Sequence, residues 1–408
     1  MMIHNRILTV VATAALSLGV HATVYYVAPS GSDTNNGTSQ STPWKTIDRV
    51  NQSTYTFQPG DQILFQRGGT YRGQVIFGNS GTSTAPITVG AYGTGDNPII
   101  SGSKLVTGWT QHSGSIYKAT VSERVDQVYV GGARMTPARF PNTGWLRNSN
   151  GGGTQMYSTG LTQGSGYWVG AKAIVRSNSS SYDTLIVSNY SNSTLTFTQS
   201  THNMGTDPWG FFMCGKLSEL DAANEWYYDP NSHILYLWAP GGGNPSSLTV
   251  EASVYWSGVN NSWQRHYQRI ENITFQHQRN AGIRNDGADH VTVTGCTFTK
   301  LFHGIRSYGS YDTYSNNIFQ GTYATGALLI DNSTTFENNT MTDIAMIPGE
   351  GESSWGYFGV RAIGTSNIIR GNRLDNIGYT GLEVNANALV EKNVITRTLA
   401  TLNDGGGI

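Results

Sequence analysis

The chain is poor in charged residues and in cysteine. Only 12% of its 408 residues are Asp, Glu, Lys or Arg, the formal net charge is −1, and there are two cysteines. So weak a charge gives no basic surface that would attract nucleic acid or an anionic membrane. Two cysteines cannot form a disulfide framework, and no Cys and His residues have the spacing of a zinc site. We therefore expect no nucleic-acid partner and no bound metal.

Long apolar runs are also scarce. Arg6 precedes an apolar run over residues 7–20, and Val20-His21-Ala22 follows it as a small-residue cleavage site. This order is typical of a secretory signal, and the run is too short for a comfortable transmembrane helix. We expect residues 1–22 to be a signal peptide, cleavage near Ala22, no membrane span, and a protein that acts outside the cytoplasm, in the periplasm or the medium.

Glycine is what the chain has in abundance. There are 50 Gly residues, with many Asn, Ser and Thr, 22 Tyr and 10 Trp. This composition is typical of a β protein with many turns and exposed aromatic surfaces. It argues against an ordinary cytoplasmic α/β enzyme.

The end of the chain, from residue 280, repeats one unit about every 22 residues. The first marker is Gly282-Ile283-Arg284, Gly304-Ile305-Arg306, Ala327-Leu328-Leu329, Gly359-Val360-Arg361 and Gly381-Leu382-Glu383, at steps of 22, 23, 32 and 22 residues. The second is Cys296, Asn317, Asn339, Asn372 and Asn393, at steps of 21, 22, 33 and 21 residues. The long step contains an insert over residues 346–357. Two markers with one period indicate a repeat architecture.

Each unit predicts short strands and turns. It lacks the 3.6-residue apolar period of a helix, and runs such as residues 290–294 alternate in polarity between Gly and Asn. Coils of this length that pair in parallel form a β-solenoid with a continuous core. An Asn at the same turn of every coil would tolerate left-handed backbone and pass amide hydrogen bonds to the next coil. Cys296 would then be a small buried side chain.

Alternate residues of each strand face outward, so the coils should stack these side chains in columns. The outward pairs are Arg284 and Asp286, Arg306 and Tyr308, Leu329 and Asp331, Arg361 and Ile363, and Glu383 and Asn385. Neighbouring coils lie about 4.8 Å apart. The sequence therefore predicts an outer face on which arginines and carboxylates are interleaved.

The region before residue 119 has its own motifs. Residues 43–50 predict a short amphipathic helix with Trp44, Ile47 and Val50 on one side. Residues 25–33 (YYVAPSGSD), 59–73 (PGDQILFQRGGTYRG), and 85–93 with 97–102 (APITVGAYG and NPIISG) read as strands and turns. These blocks resemble the opening of secreted right-handed parallel β-helix proteins of the pectate-lyase-like superfamily. The resemblance implies that the short helix caps the open end of the solenoid.

Residues 119–250 interrupt the coil pattern with alternating strands and a hairpin signal. The blocks ARFPN (138–142), GYWVGA (166–171), EWYYDP (225–230) and LYLWAP (235–240) resemble a subset of β-helix proteins that includes β-xylosidase-like glycoside hydrolases. That resemblance implies an inserted β-sandwich whose loops wall one side of an active-site cleft. We expect four parts: 1–22 signal peptide, 23–118 cap and first coils, 119–250 inserted β-rich module, and 251–408 repeat coils.

Glycosidic hydrolysis needs two carboxyl groups. Glu383 and Asp404 are 21 residues apart, which predicts adjacent coils and a separation of roughly 5 Å, suited to a retaining mechanism. Either residue could be the nucleophile and the other the general acid. Residues 404–408 also resemble the DGGxIY motif of such enzymes without its last aromatic residue, so we expect a C-terminally truncated chain whose partner carboxylate could lie beyond residue 408.

Other residues are candidates for substrate binding. Glu352, Trp355 and Tyr357 lie in the insert, where aromatic faces could stack on a sugar, although a solvated acidic loop fits equally well. Arg306, Arg361 and Asp331 belong to the outer columns, where ion pairs between coils are an alternative reading.

Three functions stay open on the sequence. The first is a secreted glycoside hydrolase acting on plant or algal polysaccharide or oligosaccharide, as a monomer. The second is a polysaccharide lyase with an arginine base and Ca²⁺ as charge neutraliser, although no tight acidic trio marks a calcium site. The third is a non-catalytic β-helix used for surface binding or adhesion.

Overall fold

The structure, a computed structural model, describes residues 22–202, 209–385 and 387–408. Almost all of the expected signal peptide therefore lies outside the described residues. The described chain contains three long parallel sheets, which we name A, B and C, and three largely antiparallel sheets. No helix in the described ranges is long and apolar enough to cross a membrane.

Each solenoid coil contributes up to three short strands, one to each parallel sheet. Sheet A contains Val24–Val27, Gln62–Gln66, Ile87–Tyr92, Gln268–Glu271, Thr292–Thr294, Thr313–Ser315, Thr335–Glu337, Ile368–Arg370 and Leu389–Glu391. Sheet B contains Thr70–Arg72, Ile99–Ser101, Thr274–Gln276, Thr297–Thr299, Ile318–Gln320, Thr340–Ile344, Arg373–Ile377 and Val394–Thr396. Sheet C contains Val75–Ile76, Ser257–Asn261, Ala281–Asn285, His303–Ser307, Ala327–Leu329, Val360–Ala362 and Leu382–Val384. The predicted all-β parallel solenoid is confirmed.

The strand register corrects one of the predicted repeat units. Ile305 pairs with Ala327, so Gly326 rather than Ala327 is the third glycine marker. The glycine steps from residue 282 then become 22, 22, 33 and 22 residues. A slip of one residue turns a side chain to the opposite face of a strand. The outward position in this coil is therefore Leu328 and not Leu329.

Stacked aromatic rings explain why the marker is glycine. Phe275, Phe298 and Phe319 occupy equivalent positions in consecutive coils of sheet B, with ring centroids 5.4 and 4.8 Å apart. A Cβ atom added at Gly282 would collide with the ring of Phe298, and one added at Gly304 would collide with that of Phe319. The close-packed core therefore leaves room only for glycine at these positions.

The predicted asparagine ladder is also confirmed. Asn339 Oδ1 accepts the backbone N–H of Asn317 at 2.9 Å, and Asn372 Oδ1 accepts that of Asn339 at 2.9 Å. The left-handed backbone falls one residue before the ladder, at Asn316 and Asn338, where φ is 57° and 55°. Each buried amide thus satisfies a backbone donor of the neighbouring coil.

Cys296 stands at the start of this ladder as expected. Its side chain is 1% exposed and its backbone N–H donates to Asn317 Oδ1 at 2.9 Å. Cys214 is buried as well, and both thiols are free.

The three largely antiparallel sheets come, in sequence, between the early and the late coils. They contain Ser103–Leu105, Val128–Val130, Ala133–Arg134 and Val250–Ser253; Thr110–Ser113, Ile116–Thr120, Thr136–Pro137, Glu225–Asp229 and Ile234–Trp238; and Arg139–Phe140, Asn150–Gly152, Gln155–Tyr157, Lys172–Asn178, Ser181–Ser191, Thr194–Phe197 and Phe211–Cys214. The 3₁₀ turns are Leu217–Glu219, Pro240–Gly242 and Pro245–Ser247. Strand pairing in these sheets is antiparallel except between Thr136–Pro137 and Glu225–Asp229, which are parallel. The hairpin over residues 110–120 crosses residue 119, where the inserted module was expected to begin. The four-part division of the chain stays a prediction.

The predicted amphipathic helix is present but short. It covers Ile47–Gln52, with Thr46 Oγ1 accepting the backbone N–H of Arg49 at 3.2 Å as its N-cap. Ile47 and Val50 are each 1% exposed and join the solenoid core. Its role as a cap of the solenoid stays a prediction.

Candidate functional site

The candidate site lies on the outer face of sheet C, beside the insert formed by residues 346–357. The register aligns Arg284, Arg306, Leu328, Arg361 and Glu383 in one outward column. Parallel pairing places these side chains about 4.8 Å apart from coil to coil. The predicted column is therefore present, with Leu328 in place of Leu329.

Arg361 is the centre of the site because two glutamates approach it. Its Nε donates to Glu383 Oε2 at 2.5 Å, and its Nη1 lies 3.6 Å from Glu352 Oε1. The guanidinium also lies over the ring of Trp355, 4.4 Å from the ring centroid. The Arg361 side chain is only 17% exposed. One partly buried cation thus faces two carboxyl groups and an aromatic ring, an arrangement in which charge is weakly screened.

The two glutamates have different surroundings. The Glu352 side chain is 11% exposed, whereas that of Glu383 is 31% exposed. Burial raises the pKa of Glu352, and a hydrogen bond from Thr325 Oγ1 at 2.5 Å opposes that rise only in part. Glu352 Oε1 is buried and has no hydrogen-bond partner among the described residues. Glu352 is therefore disposed to hold a proton, and Glu383 forms an ion pair.

A shallow groove of about 370 Å³ opens beside this cluster. Its lining includes Glu383 together with Trp355, Phe358, Tyr379 and Ile408. Trp355 is 38% exposed, and the rings of Phe358 and Tyr379 meet edge to face at 5.8 Å. Glu352 borders a second, larger cavity rather than this groove. The groove offers aromatic surface next to a charged pair, which is what a sugar-binding site requires.

Tyr357 is not the exposed platform that the sequence suggested. The side chain is 1% exposed, and its hydroxyl accepts the backbone N–H of Gly349 at 2.8 Å. The insert folds back on itself, and this ring fills its interior. Tyr357 therefore holds the loop in shape, and the prediction of direct substrate contact is wrong.

Asp404 is exposed, but it does not stand beside Glu383 on sheet C. The backbone N–H of Leu382 donates to the carbonyl of Gly407, so Ile408 takes the position next to Leu382. The step from Gly381 to Gly407 is 26 residues, four longer than the usual 22. The longer connection places Asp404 at a turn, where its carbonyl accepts the hydroxyl of Tyr379 at 2.8 Å. The prediction of a one-coil pairing with Glu383 is therefore wrong.

Asp331 is buried instead of outward. Its side chain is fully buried, and Oδ1 accepts the backbone N–H of Gly309 at 2.7 Å. The hydroxyl of Tyr314 donates within the same network, 3.0 Å from Asp312 Oδ2 and 3.4 Å from Asp331 Oδ2. The misplaced register of this coil explains the error, since a one-residue slip reverses the face. Asp331 cannot contact a substrate on the outer face.

Arg306 lies where the sequence placed it, on the outer face. Its side chain is 24% exposed, and Nη1 lies 3.5 Å from Asp286 Oδ1. Its Nη2 donates to the hydroxyl of Tyr308 at 2.7 Å. Arg284 pairs with the same Asp286 at 2.6 Å. The predicted ion pairing between coils is present, and a role of Arg306 in substrate binding stays a prediction.

Sequence reasoning missed Phe358, Tyr379 and Thr325. Phe358 immediately precedes the marker Gly359, and Tyr379 lies two residues before Gly381. The two residues before each glycine marker adjoin the start of a strand of sheet C, so a comparison of both positions between coils would have pointed to Phe358 and Tyr379. Thr325 is equivalent to Phe358 one coil earlier, and its Oγ1 contacts Glu352.

No cluster of metal ligands stands out in the described parts of the chain. In residues 22–202, 209–385 and 387–408, no group of three or more His, Cys, Asp and Glu side chains is close enough to hold a metal ion.

Comparisons with known proteins agree with this fold. The family model described as "Right handed beta helix region" matches residues 254–408. Lacto-N-biosidase of Bifidobacterium longum subsp. longum is 40% identical over 53 residues, which are 13% of this chain and 3% of that protein. This chain therefore spans only a small fraction of the curated relative that it matches.

Two solved structures extend the likeness over most of the chain. A structure described as a glycoside hydrolase has a TM-score of 0.57 at 13% identity, covering 93% of this chain and 97% of that one. XylC in complex with xylose has a TM-score of 0.58 at 14% identity, covering 91% of this chain and 62% of that one. At such identities the likeness shows the fold alone. Together with the parallel sheets described above, it shows that this chain is a right-handed parallel β-helix protein.

Proposed function

We propose that the protein is a secreted glycoside hydrolase that cleaves a plant or algal polysaccharide or oligosaccharide at the Arg361 groove. The observation that carries the proposal is the pair of glutamates on Arg361, one buried and one ion-paired, beside aromatic surface. Glycosidases use two carboxyl groups, and opposite environments assign the acid and the base. The fold that this chain shares with a structure described as a glycoside hydrolase supports the same reading.

The two glutamates have separate roles in this mechanism. Burial raises the pKa of Glu352 and so favours its protonated form, and in this mechanism it would donate a proton to the glycosidic oxygen as the bond to the leaving sugar breaks. Glu352 Oε1 is covered, so donation requires the side chain to rotate toward the groove. Glu383 would attack the anomeric carbon or activate water for that attack. Arg361 holds the two carboxyl groups near each other before substrate binds.

The aromatic residues of the groove would bind the sugar. Trp355 and Tyr379 offer ring faces on which a pyranose can stack, and such contacts supply apolar area at small entropic cost. Arg306, in the same outward column as Arg361, would contact a sugar further along the sheet. We propose a monomeric enzyme, since one chain supplies every group of this site.

The test is hydrolysis of a polysaccharide and oligosaccharide panel, measured as release of reducing ends, by Glu352→Gln, Glu383→Gln and Asp404→Asn variants. We expect each glutamate change to lower kcat by about 10²–10⁴-fold, and Asp404→Asn to retain most activity. Glu337→Gln is the matched control. Glu337 pairs with Arg370 Nε of the next coil at 2.7 Å, as Glu383 pairs with Arg361, but it lies on sheet A.

Two outcomes would contradict the proposal in different ways. If Asp404→Asn loses activity and Glu352→Gln does not, then Glu383 and Asp404, the pair expected from the sequence, are the two catalytic carboxyl groups. Sugar binding without hydrolysis across the panel would favour a non-catalytic β-helix used for surface binding.

A polysaccharide lyase is the second candidate, because of the arginine column. Arg284, Arg306 and Arg361 align on one face, where they could neutralise the carboxylates of a uronate chain. A lyase would yield an unsaturated, ultraviolet-absorbing product from a uronate polymer. We would assay its formation with added Ca²⁺ and with chelator. Product that depends on Ca²⁺ would support this reading over hydrolysis.

A further inference from the structure

A second cavity, of about 590 Å³, lies between the insert and the long hairpin strand Ser181–Ser191. Three side chains at its wall carry nucleophile and acid–base chemistry: Ser354 from the insert, Asp183 from the strand, and His202. The glycosidase proposed above uses none of the three. Glu352, the proposed acid of the glycosidase, also borders this cavity, so the two proposed sites share the insert but use different side chains.

The three side chains are connected in the order of an acyl-transfer triad. His202 Nδ1 lies 2.6 Å from Asp183 Oδ1, and His202 Nε2 lies 3.4 Å from Ser354 Oγ. In such triads a serine contacts one ring nitrogen of a histidine, and a carboxylate contacts the other. The residues come from three separate stretches of chain, so neighbouring positions in sequence do not explain the geometry.

Asp183 fixes the orientation of the imidazole. Asp183 is buried, with 5% of the residue exposed. Its Oδ2 accepts the backbone N–H of His202 at 2.7 Å, and its Oδ1 faces His202 Nδ1. A carboxylate at Nδ1 keeps the ring proton there, so Nε2 is left as an acceptor for the serine hydroxyl. The imidazole is 51% exposed, which leaves its catalytic edge open to a substrate.

The insert holds the serine in place through its backbone. The carbonyl of Ser354 accepts the N–H of Tyr182 at 2.7 Å, which ties the insert to the hairpin strand. In the described chain, the N–H groups of Ser354 and Trp355 have no hydrogen-bond acceptor. These two donors adjoin the nucleophile in sequence, and we assign them as candidates to stabilise an oxyanion.

We propose that Ser354 and His202, positioned by Asp183, hydrolyse acyl esters in this cavity. Ser354 Oγ attacks the ester carbonyl carbon, and its proton passes to His202 Nε2. The bond from carbon to the alcohol oxygen breaks, and His202 returns the proton to the departing alcohol. Water, deprotonated by His202 Nε2, then attacks the acyl carbon. The bond from that carbon to Ser354 Oγ breaks, His202 returns the proton to Ser354 Oγ, and the carboxylic acid leaves. That the ester is carried on a sugar rests on the proposed function, whereas the triad itself does not.

The experiment measures p-nitrophenyl acetate hydrolysis by the full chain and maps the residue labelled by a fluorophosphonate probe. We expect Ser354→Ala to lower kcat/KM at least about 10³-fold and to abolish the label. Ser353→Ala, which removes a neighbouring exposed hydroxyl, is the matched control and should behave as wild type. The main-chain bond to Tyr182 survives in Ser354→Ala, so a thermal melt should show an intact fold.

Asp183 is tested as a positioning residue. Asp183→Asn should lower kcat and the rate of labelling at Ser354 while KM stays within about twofold, because the imidazole loses its orientation and not the substrate pocket. A fold defect alone would lower the amount of active protein and leave the labelling rate of the folded fraction unchanged.

The outcomes separate the triad from the glycosidase. Wild-type ester hydrolysis in Ser354→Ala, or labelling at another residue, would overturn the triad. Release of acetate from an acetylated oligosaccharide would support a sugar ester as substrate. If p-nitrophenyl acetate is hydrolysed but no acetate is released from the oligosaccharide, the proposal that the ester is carried on a sugar is wrong. Glycosidase activity should be unchanged in Ser354→Ala, so failure of one activity does not decide the other.

Discussion

Two ion pairs in this solenoid have the same geometry and different surroundings. Arg361 Nε contacts Glu383 at 2.5 Å on sheet C, and Arg370 Nε contacts Glu337 at 2.7 Å on sheet A. Both pairs join adjacent coils at directly opposed strand positions. A parallel solenoid produces such pairs wherever opposite charges fall one period apart, so the pair alone does not mark a site.

The difference comes from what the insert adds. The Arg361 side chain is 17% exposed and that of Arg370 is 45% exposed. Only the first has a second glutamate and an aromatic ring against its guanidinium, and both come from the insert. An exposed pair is worth little, whereas a covered one changes the charge state of its neighbours. The candidate site therefore lies where a loop is added to an otherwise regular face.

We expect the largest effect from Arg361→Met, compared with Arg370→Met as its control. Loss of Arg361 leaves two glutamates without a cation, so we expect activity to fall at least about 10²-fold and the free energy of unfolding to drop by about 2 kcal/mol. Arg370→Met should cost under about 1 kcal/mol and leave activity intact. Urea unfolding and the hydrolysis assay measure both. Equal effects of the two changes would mean that the insert does not distinguish the pairs.

Trp355→Ala isolates the aromatic part of the difference. The exposed ring covers Arg361 and lines the groove, so we expect KM to rise about tenfold, with kcat within about threefold. Trp263→Ala is the control, because Trp263 is 52% exposed and stacks on Tyr55 away from the groove lining. An unchanged KM in Trp355→Ala would remove this residue from sugar binding.

The sequence predicted the repeat, the parallel coils and the asparagine ladder because each depends on a period that can be counted. It failed where one marker was aligned a residue out of register and where a loop was lengthened. Reading Ala327 as a glycine marker reversed the face of Asp331, and four extra residues before Gly407 moved Asp404 off the column of Glu383. Within the insert no period applies, so the burial of Tyr357 could not be foreseen.

Asp331 and Asp312 provide a contrast to the glutamates on Arg361, because among the described residues no cation forms an ion pair with this buried carboxyl pair. Asp312 and Asp331 share the hydroxyl of Tyr314 in the core, and Asn285 Nδ2 donates to Asp312 at 3.0 Å. Burial, reinforced by Asp331, raises the pKa of Asp312 to about 8. Burial also raises the pKa of Asp331, to about 6. No arginine in the described parts of the chain pairs with them, and both carboxyl groups keep a proton to higher pH than an ordinary aspartate does, whereas the outer Glu383 forms an ion pair.

The pH dependence of stability follows from the direction of these shifts. A carboxyl whose pKa is higher in the folded state than its ordinary value of 3.8 stabilises the fold at low pH. That stability is lost as pH rises through about 6 for Asp331 and about 8 for Asp312. Asp331→Asn keeps an acceptor for Gly309 and removes one ionisable group. We therefore expect the free energy of unfolding of Asp331→Asn to gain on that of wild type by on the order of 1 kcal/mol as pH rises from about 4 to 8, which would appear as a growing difference in melting temperature.

Asp286→Asn is the control for this change. Asp286 pairs with Arg284 and Arg306 on the outer face, so its removal should not produce a gain that grows toward high pH. Melting curves at a series of pH values decide the point. If the difference in melting temperature between Asp331→Asn and wild type stays constant with pH, Asp312 and Asp331 are already ionised at low pH and other groups balance their charge. The contrast between the Asp312–Asp331 pair and the arginine-centred outer face would then no longer explain why we place the candidate site on the outer face.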